Sequence, residues 1–132
     1  MATATECVNA WNAALARGDR ETMNGLLHSD YKLIEPMGTP YPGIFRGAAG
    51  WWSFWEQFCQ TWSEIEVTNA KIFLSDSPGE CTIMMDLKGR AIATGKPFST
   101  SLIEYWRFAD GKILEMRPHY CDTHYLRVLA GG

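Results

Sequence analysis

The chain has 132 residues, of which 46% are hydrophobic and 20% charged, a composition typical of a single globular domain spanning residues 1–132. The net charge of −3 and the absence of clustered Lys and Arg argue against nucleic acid and anionic membranes as partners. No apolar run reaches the roughly 18 residues of a membrane span, and no signal peptide pattern opens the chain, so we expect a cytoplasmic protein.

The four cysteines predict free thiols and no metal or redox motif. Cys7, Cys59, Cys81 and Cys121 lie far apart and form no CxxC pair, which favours buried, unpaired side chains. The sequence also contains no HExxH and no dense group of His, Cys and Asp. We therefore expect neither a metal nor another cofactor.

The first quarter of the chain predicts two helices. Thr3 and Glu6 form a capping-box pattern, and the helix that follows ends at Gly18. Asp19 is suited to cap a second, short helix. Apolar residues at helical spacing mark the buried faces, with Val8, Trp11 and Leu15 on the first helix and Met23, Leu26 and Leu27 on the second.

A strand-like run from Tyr31 leads into Glu35, which stands directly before a bend rich in proline and glycine. We expect the strand to carry Glu35 into an apolar cavity, and the bend, with Pro36, Gly38 and Gly43, to turn around its mouth. Burial would raise the pKa of the glutamate and allow it to move protons. An exposed loop glutamate is the alternative.

Residues 48–62 predict a third helix with an aromatic stripe. Its members stand at i, i+4, i+7 and i+11, and they are Trp51, Trp55, Phe58 and Trp62. The whole chain has six Trp, five Tyr and six Phe. Such side chains fill a core or line a pocket for a flat apolar ligand, and the stripe alone does not distinguish these uses.

From residue 64 onward the pattern predicts four strands, at residues 64–74, 81–93, 97–108 and 113–122, joined by short turns. The element order is α-α-β-α-β-β-β-β. We therefore predict an α+β fold in which a cone-shaped, curved antiparallel or mixed sheet carries three helices on its concave face. Such an arrangement leaves a hollow between the sheet and the helices.

Alternation along the last two strands assigns side chains to the two faces of the sheet. The inner face is predicted to hold Leu102, Glu104, Trp106 and Phe108, together with Met116, Pro118, Tyr120 and Asp122. The outer face is predicted to hold Ile103, Tyr105 and Arg107, together with Arg117, His119 and Cys121. Three carboxylates, Glu35, Glu104 and Asp122, then converge on one hollow, unless Glu104 lies at a half-exposed edge.

Two carboxyl groups in an apolar pocket can divide the work of acid/base chemistry. Burial raises a carboxyl pKa, and a neighbouring negative charge raises it further. One group can then ionise and act as a base while the other stays protonated and donates a hydrogen bond to a developing oxyanion.

Several stretches resemble a known superfamily. The order of elements, "GD" after the first helix, "EPMGTPYPG", "FADGKILEMR" and "YCD" resemble the nuclear transport factor 2-like proteins. Within them, the chain is similar to the ketosteroid isomerases and the SnoaL-like polyketide cyclases. Ketosteroid isomerase is also a standard example of a carboxylate base paired with a protonated carboxylic acid.

The resemblance implies roles for particular residues. The catalytic Asp of the isomerases falls on Glu35, their oxyanion Asp on Glu104, and a pocket aromatic on Tyr120. Their oxyanion Tyr falls on Trp11, whose indole N–H can donate but lacks an acidic hydroxyl. The last-strand Asp of SnoaL-like cyclases falls on Asp122.

These observations lead to one hypothesis with two alternatives. The hypothesis is a cofactor-free enzyme, isomerase or cyclase, in which Glu35 abstracts a proton next to a carbonyl. Protonated Glu104 and Trp11 would stabilise the enolate, and Asp122 would assist. The residues expected to hold the apolar substrate are Trp11, Trp55, Phe58, Met116 and Tyr120. The alternatives are a non-catalytic ligand-binding or dimerisation module, and a scaffold whose cavity is filled by its own tryptophans.

The resemblance and the outer face also predict a homodimer. Ile103, Tyr105 and His119 are expected to point away from the helices, where a second copy of the chain could pack.

Overall fold

The computed structural model describes residues 2–132. Its helices are α1 (Ala4–Ala16), α2 (Arg20–Leu26), α3 (Gly47–Thr61) and α4 (Thr123–Leu129). Its strands are β1 (Leu27–Glu35), β2 (Gly43–Arg46), β3 (Trp62–Leu74), β4 (Glu80–Ala91), β5 (Pro97–Ala109) and β6 (Lys112–Tyr120).

The strands form one sheet in the order β2-β1-β6-β5-β4-β3. Strands β3 to β6 run antiparallel through short turns, whereas β1 pairs in parallel with β6. Irregular pairing between Ser63 and Glu66 and between Thr68 and Lys71 interrupts β3. Such bulges bend a strand and increase its twist. The predicted α+β fold with a curved, mixed sheet is confirmed.

Both predicted caps of the first two helices are present. The Thr3 hydroxyl accepts a hydrogen bond from the backbone N–H of Glu6 at 3.1 Å, and Asp19 accepts one from Thr22 at the same distance. Helices α1 and α3 are in contact through their buried faces. There the rings of Trp11 and Trp51 pack edge to face, with centroids 4.8 Å apart. The described residues include no helix with the length and hydrophobicity of a membrane span.

Two elements of the structure were not predicted. The four-residue strand β2 lies within the expected bend and pairs antiparallel with the end of β1. The seven-residue helix α4 follows β6, so the described chain has four helices where three were predicted. Both elements are short, and a periodic pattern needs more residues than they contain.

The proline and glycine bend does not surround the mouth of the cavity, contrary to expectation. Tyr41 in the bend is buried, and Gly38 packs against Thr123 at the start of α4. A Cβ atom on Gly38 would lie 2.5 Å from the hydroxyl oxygen of Thr123, so a larger residue would require the Thr123 side chain to move. The bend therefore joins β1 to β2 and packs against the start of α4.

The prediction of buried free thiols holds for two cysteines. Cys7 and Cys81 are buried, whereas Cys59 and Cys121 are exposed, and all four are unpaired. Cys59 lies on the outer side of α3 and Cys121 follows the end of β6, where side chains meet solvent.

Candidate active site

A cavity of about 570 Å³ lies between α1, α3 and the concave face of the sheet. Its exposed lining residues are Asn12 and Ala16 on α1 and Val67 and Ala70 on β3. The opening of the cavity therefore lies between α1 and β3.

The cavity wall is dominated by aromatic side chains, which are Trp11, Trp51, Phe54, Trp55, Phe58, Trp106 and Tyr120. On α3 the rings of Trp51 and Trp55 stack with centroids 5.7 Å apart, and those of Trp55 and Phe58 at 5.1 Å. These stacked rings line the cavity with apolar aromatic surface, which is suited to an apolar ligand.

All five residues expected to bind the substrate lie in this wall, namely Trp11, Trp55, Phe58, Met116 and Tyr120. Their part in binding stays a prediction. Trp62, the last member of the predicted aromatic stripe, begins β3 and lies outside the wall. Its indole N–H donates to the hydroxyl of Tyr41 at 2.9 Å.

Glu35 reaches the cavity from the end of β1. Tyr31, Leu33 and Glu35 alternate along the inward face of the strand, and Glu35 is only 2% exposed. Among residues 2–132, neither of its carboxyl oxygens has a hydrogen-bond partner. Loss of solvation, followed by repulsion from Glu104, raises the pKa of Glu35 to about 9.

Glu104 enters the same cavity from β5, as the alternation of that strand predicted. It borders the hollow and keeps a partly accessible surface. Trp106, two residues along the same face, donates its indole N–H to Oε1 of Glu104 at 3.3 Å. Loss of solvation raises the pKa of Glu104 to about 7, and the hydrogen bond from Trp106 limits the rise because it favours the anion.

The surroundings of the two carboxyl groups favour Glu104 as the base and Glu35 as the protonated acid, the reverse of the roles expected from the resemblance. The resemblance assigned the base to Glu35 and the protonated acid to Glu104. In the structure Glu104 has a donor for its anion, whereas Glu35 is more deeply buried and has none. The hydrogen bond from Trp106 therefore favours ionisation of Glu104 before Glu35.

Two further polar groups near the carboxyl pair were not identified from the sequence as site residues. The hydroxyl of Tyr31 and the indole N–H of Trp51 are buried without partners. Desolvation and the charges of Glu104 and Glu35 raise the pKa of Tyr31 well above its usual value. The signal available in the sequence was the position of Tyr31 on the same strand face as Glu35.

Asp122 does not reach the cavity. The strand β6 ends at Tyr120, and Asp122 instead caps α4, where its side chain accepts a hydrogen bond from the backbone N–H of Tyr125 at 2.9 Å. The side chain is exposed. The expectation that alternation continues to Asp122 is wrong because the chain leaves the sheet two residues earlier.

Two more open hollows, of about 660 and 630 Å³, lie elsewhere on the surface. Their acidic residues, Glu56 in the first and Asp76, Glu80 and Asp110 in the second, are exposed or half-buried. Residues 2–132 contain no group of three or more His, Cys, Asp or Glu side chains arranged to hold a metal ion. The paired buried acids therefore distinguish the central cavity.

The sequence matches the model of the SnoaL-like domain over residues 8–116. The chain belongs to the SnoaL-like domain family. This match includes α1 from Val8 onward, with Trp11, and the strands that carry Glu35 and Glu104. A comparison with curated proteins gives no significant match.

Solved structures share the SnoaL-like fold at low sequence identity. An NTF2-like protein of unknown function from Burkholderia pseudomallei superposes with a TM-score of 0.85 at 18% identity, covering 100% of both chains. TerC, co-crystallised with polyporic acid, gives 0.82 at 18% identity over 97% of this chain and 98% of its own. A protein from Pseudomonas putida, proposed to be a polyketide cyclase, gives 0.78 at 19% identity over 96% and 97%.

Proposed function

We propose that this SnoaL-like protein is an acid/base enzyme that needs no cofactor and moves a proton next to the carbonyl of an apolar small molecule. The observation that carries this proposal is the presence of two carboxyl groups, Glu35 and Glu104, in one apolar cavity without a cationic partner. Groups with a pKa near neutrality are suited to give and take protons at physiological pH.

In the proposed reaction, the Glu104 carboxylate removes a proton from the carbon next to the carbonyl. The electron pair of that C–H bond forms a C=C bond, the π pair of the carbonyl moves onto its oxygen, and the resulting enolate accepts a hydrogen bond from protonated Glu35. If the substrate carries a C=C bond conjugated with the enolate, return of the proton from Glu104 to the far end of that bond completes an isomerisation. Attack of the enolate carbon on a second carbonyl, with the proton passing to the new alkoxide, completes an aldol-type cyclisation. Both reactions share the enolate step.

The aromatic wall would orient the substrate for this step. The stacked rings of Trp51, Trp55 and Phe58 supply apolar surface on α3, and Trp11 on α1 packs edge to face against Trp51. TerC, which shares this fold, was co-crystallised with polyporic acid, and this supports a small organic ligand for the present protein. A water-poor wall also strengthens the hydrogen bonds made to a developing charge.

The experiment that tests the proposal is hydrogen–deuterium exchange of a bicyclic ketone, 2-tetralone, in D₂O followed by proton NMR. We expect the wild-type protein to accelerate loss of the protons next to the carbonyl. Glu104→Gln should reduce the acceleration by about 100-fold or more, the usual contribution of a positioned base. Glu66→Gln is the matched control, because Glu66 is an exposed glutamate of β3 outside the cavity.

Two results would contradict the proposal. Exchange at the solvent rate, with binding of 2-tetralone detected by tryptophan fluorescence, would favour the non-catalytic ligand-binding module. Equal acceleration by wild type and Glu104→Gln would show that the exchange does not use the carboxyl pair.

A further inference from the structure

The central cavity has an unusual balance of charge. Its lining contains two carboxyl groups, Glu35 and Glu104, and none of the described lining residues is Lys, Arg or His. The buried oxygens of Glu35 accept no hydrogen bond from the part of the chain that the structure describes. An ionised carboxylate in such surroundings is costly unless a positive charge compensates for it.

Another buried glutamate of the same protein has cationic neighbours. Glu115, 1% exposed, lies on β6 beside three cations: Lys32 at 3.5 Å, Arg107 at 3.6 Å and Arg117, whose Nε lies 2.5 Å from Oε2. The pKa of Glu115 is lowered despite its loss of solvation, because the hydrogen bond and charge of Arg117, helped by the other two cations, outweigh it. The fold can therefore neutralise a buried acid, and it provides no cation for the cavity pair.

The other titratable groups around the pair cannot supply a positive charge. Tyr31 from β1, Tyr41 from the bend and Tyr120 from β6 face the acids, and desolvation raises the pKa of all three. Cys81 on β4 lies near Glu104, and burial raises its pKa to about 11. All four groups are neutral at physiological pH, so none of them offers a positive charge when the carboxyl pair ionises, and a cationic ligand would supply one.

The aromatic wall adds a second attraction for a cation. The faces of Trp rings are electronegative and attract alkylammonium groups, an effect that strengthens when water is excluded. Trp11, Trp51, Trp55 and Trp106 all border the hollow that holds the two acids. A tertiary or quaternary ammonium suits this wall, since its alkyl groups pack on rings and it needs few hydrogen-bond acceptors.

We propose that the ligand of this cavity carries an organic ammonium group, held among the tryptophan rings against the Glu35–Glu104 pair. That the ligand also carries a carbonyl group rests on the proposed function. The substrate would then be a cationic carbonyl compound. The positive charge of the bound substrate would favour ionisation of one of the two acids. The substrate would in this way help to generate the base that removes its proton.

The test compares two molecules of the same shape and different charge. Phenyltrimethylammonium is a permanent cation, and tert-butylbenzene is its neutral isostere. Binding is measured by quenching of tryptophan fluorescence at pH 8. The neutral molecule gains more from leaving water, so a preference for the cation reports attraction by the site. We expect the cation to bind roughly tenfold more tightly or better, within the usual range for desolvated cation–π and charge contacts.

Dependence on pH and on the acids separates charge pairing from a general affinity for aromatic compounds. The affinity for phenyltrimethylammonium should rise between pH 6 and pH 9, since the ligand itself does not titrate and the carboxyl pair ionises over that range. The double variant Glu35→Gln/Glu104→Gln should lose the preference and the pH dependence. Glu66→Gln, an exposed change outside the cavity, should keep both.

Equal binding of the two molecules by wild type, or a preference that survives in the double variant, would overturn the inference. This failure is distinguishable from failure of the proposed function. If the ammonium inference alone fails, the protein would still accelerate exchange of 2-tetralone protons, as an acid/base enzyme that prefers neutral ketones. If the proposed function alone fails, the protein would bind the cation without accelerating exchange.

Discussion

Glu35 and Glu104 share one cavity, and the charge of Glu104 raises the pKa of Glu35 beyond the effect of burial alone. The two residues come from β1 and β5, separated in the sheet by β6. Their titrations are therefore coupled, and the cavity passes from two protons to none over the range around pH 7 to 9. The predictions on stability and on pH dependence follow from this relationship.

Stability should fall as the pH rises through the range in which these acids ionise. The folded pKa values of Glu35 and Glu104, about 9 and about 7, exceed the usual 4.5, so the folded state holds more protons than the unfolded state between pH 4.5 and 9. The free energy of unfolding should then decrease by up to about 1.4 kcal/mol per pH unit for each retained proton. Urea unfolding between pH 5 and 9 measures this slope.

Glu35→Gln removes one of these protons and should make the slope shallower, with a gain in stability at pH 8 relative to wild type. Glu66→Gln, an exposed change, serves as the control and should follow the wild-type curve. A slope of the opposite sign, or one that Glu35→Gln leaves intact, would be incompatible with a buried, protonated Glu35.

Trp106 should set the pKa of the proposed base. Its indole N–H donates to Glu104 at 3.3 Å, and Phe at this position cannot donate. A hydrogen bond to a charged group contributes about 1.5 kcal/mol, so Trp106→Phe should move the acid limb of the exchange profile upward by about one pH unit. The measurement is the pH dependence of 2-tetralone exchange.

Trp51→Phe is the matched control for Trp106→Phe, since the indole N–H of Trp51 has no protein partner. This change should alter the rate of exchange without moving the midpoint of the acid limb. A shift of equal size in both variants would mean that general loosening of the cavity, rather than the lost donor, changes the pKa of Glu104.

Asp122 should behave as a helix cap. Asp122→Ala loses the hydrogen bond to the backbone N–H of Tyr125 and should cost about 1 kcal/mol of stability, seen as a drop of a few degrees in Tm. Asp122→Asn keeps a capping oxygen and should stay near wild type. Exchange activity should be unaffected in both variants, and a large loss of activity in Asp122→Asn would restore Asp122 to the reacting centre.

The outer face of the sheet should mediate a homodimer. Ile103 on β5, its cross-strand neighbour Met84 on β4 and Phe73 on β3 are 46%, 43% and 51% exposed and lie on this same face. We predict a mass twice the 14.9 kDa of one chain by light scattering at micromolar concentration. Ile103→Glu should give the monomer, and a monomeric wild type would rule out the dimer at that concentration.

The regular alternation of side chains along a strand explains which parts of the site could be predicted from the sequence. Glu104 could be placed inward because β5 keeps a period of two through Leu102, Glu104 and Trp106. The same pattern failed at Asp122, where the strand had ended and an Asp followed by helix-forming residues was a capping signal. Periodicity locates a side chain only as long as the element continues.

Which of the two acids has the higher pKa could not be predicted from the sequence. It depends on the indole of Trp106 turning toward Glu104 and on the complete burial of Glu35 without a partner, both of which are set by packing between distant segments. Packing between distant segments also explains why the Tyr31 hydroxyl and the Trp51 indole N–H are buried without partners among the described residues. Residue type and spacing indicate which groups meet, and packing determines which of them remains protonated.

The most direct test of the central claim is a titration of the two carboxyl groups by carbon-13 NMR, in wild type and in the Glu35→Gln and Glu104→Gln variants. We predict that both titrate well above 4.5, with Glu35 the higher, and that Glu104→Gln lowers the pKa of Glu35 by removing its charged neighbour. Two titrations near 4.5, each unaffected by removal of the other group, would contradict a shared dry cavity and with it the proton-transfer function.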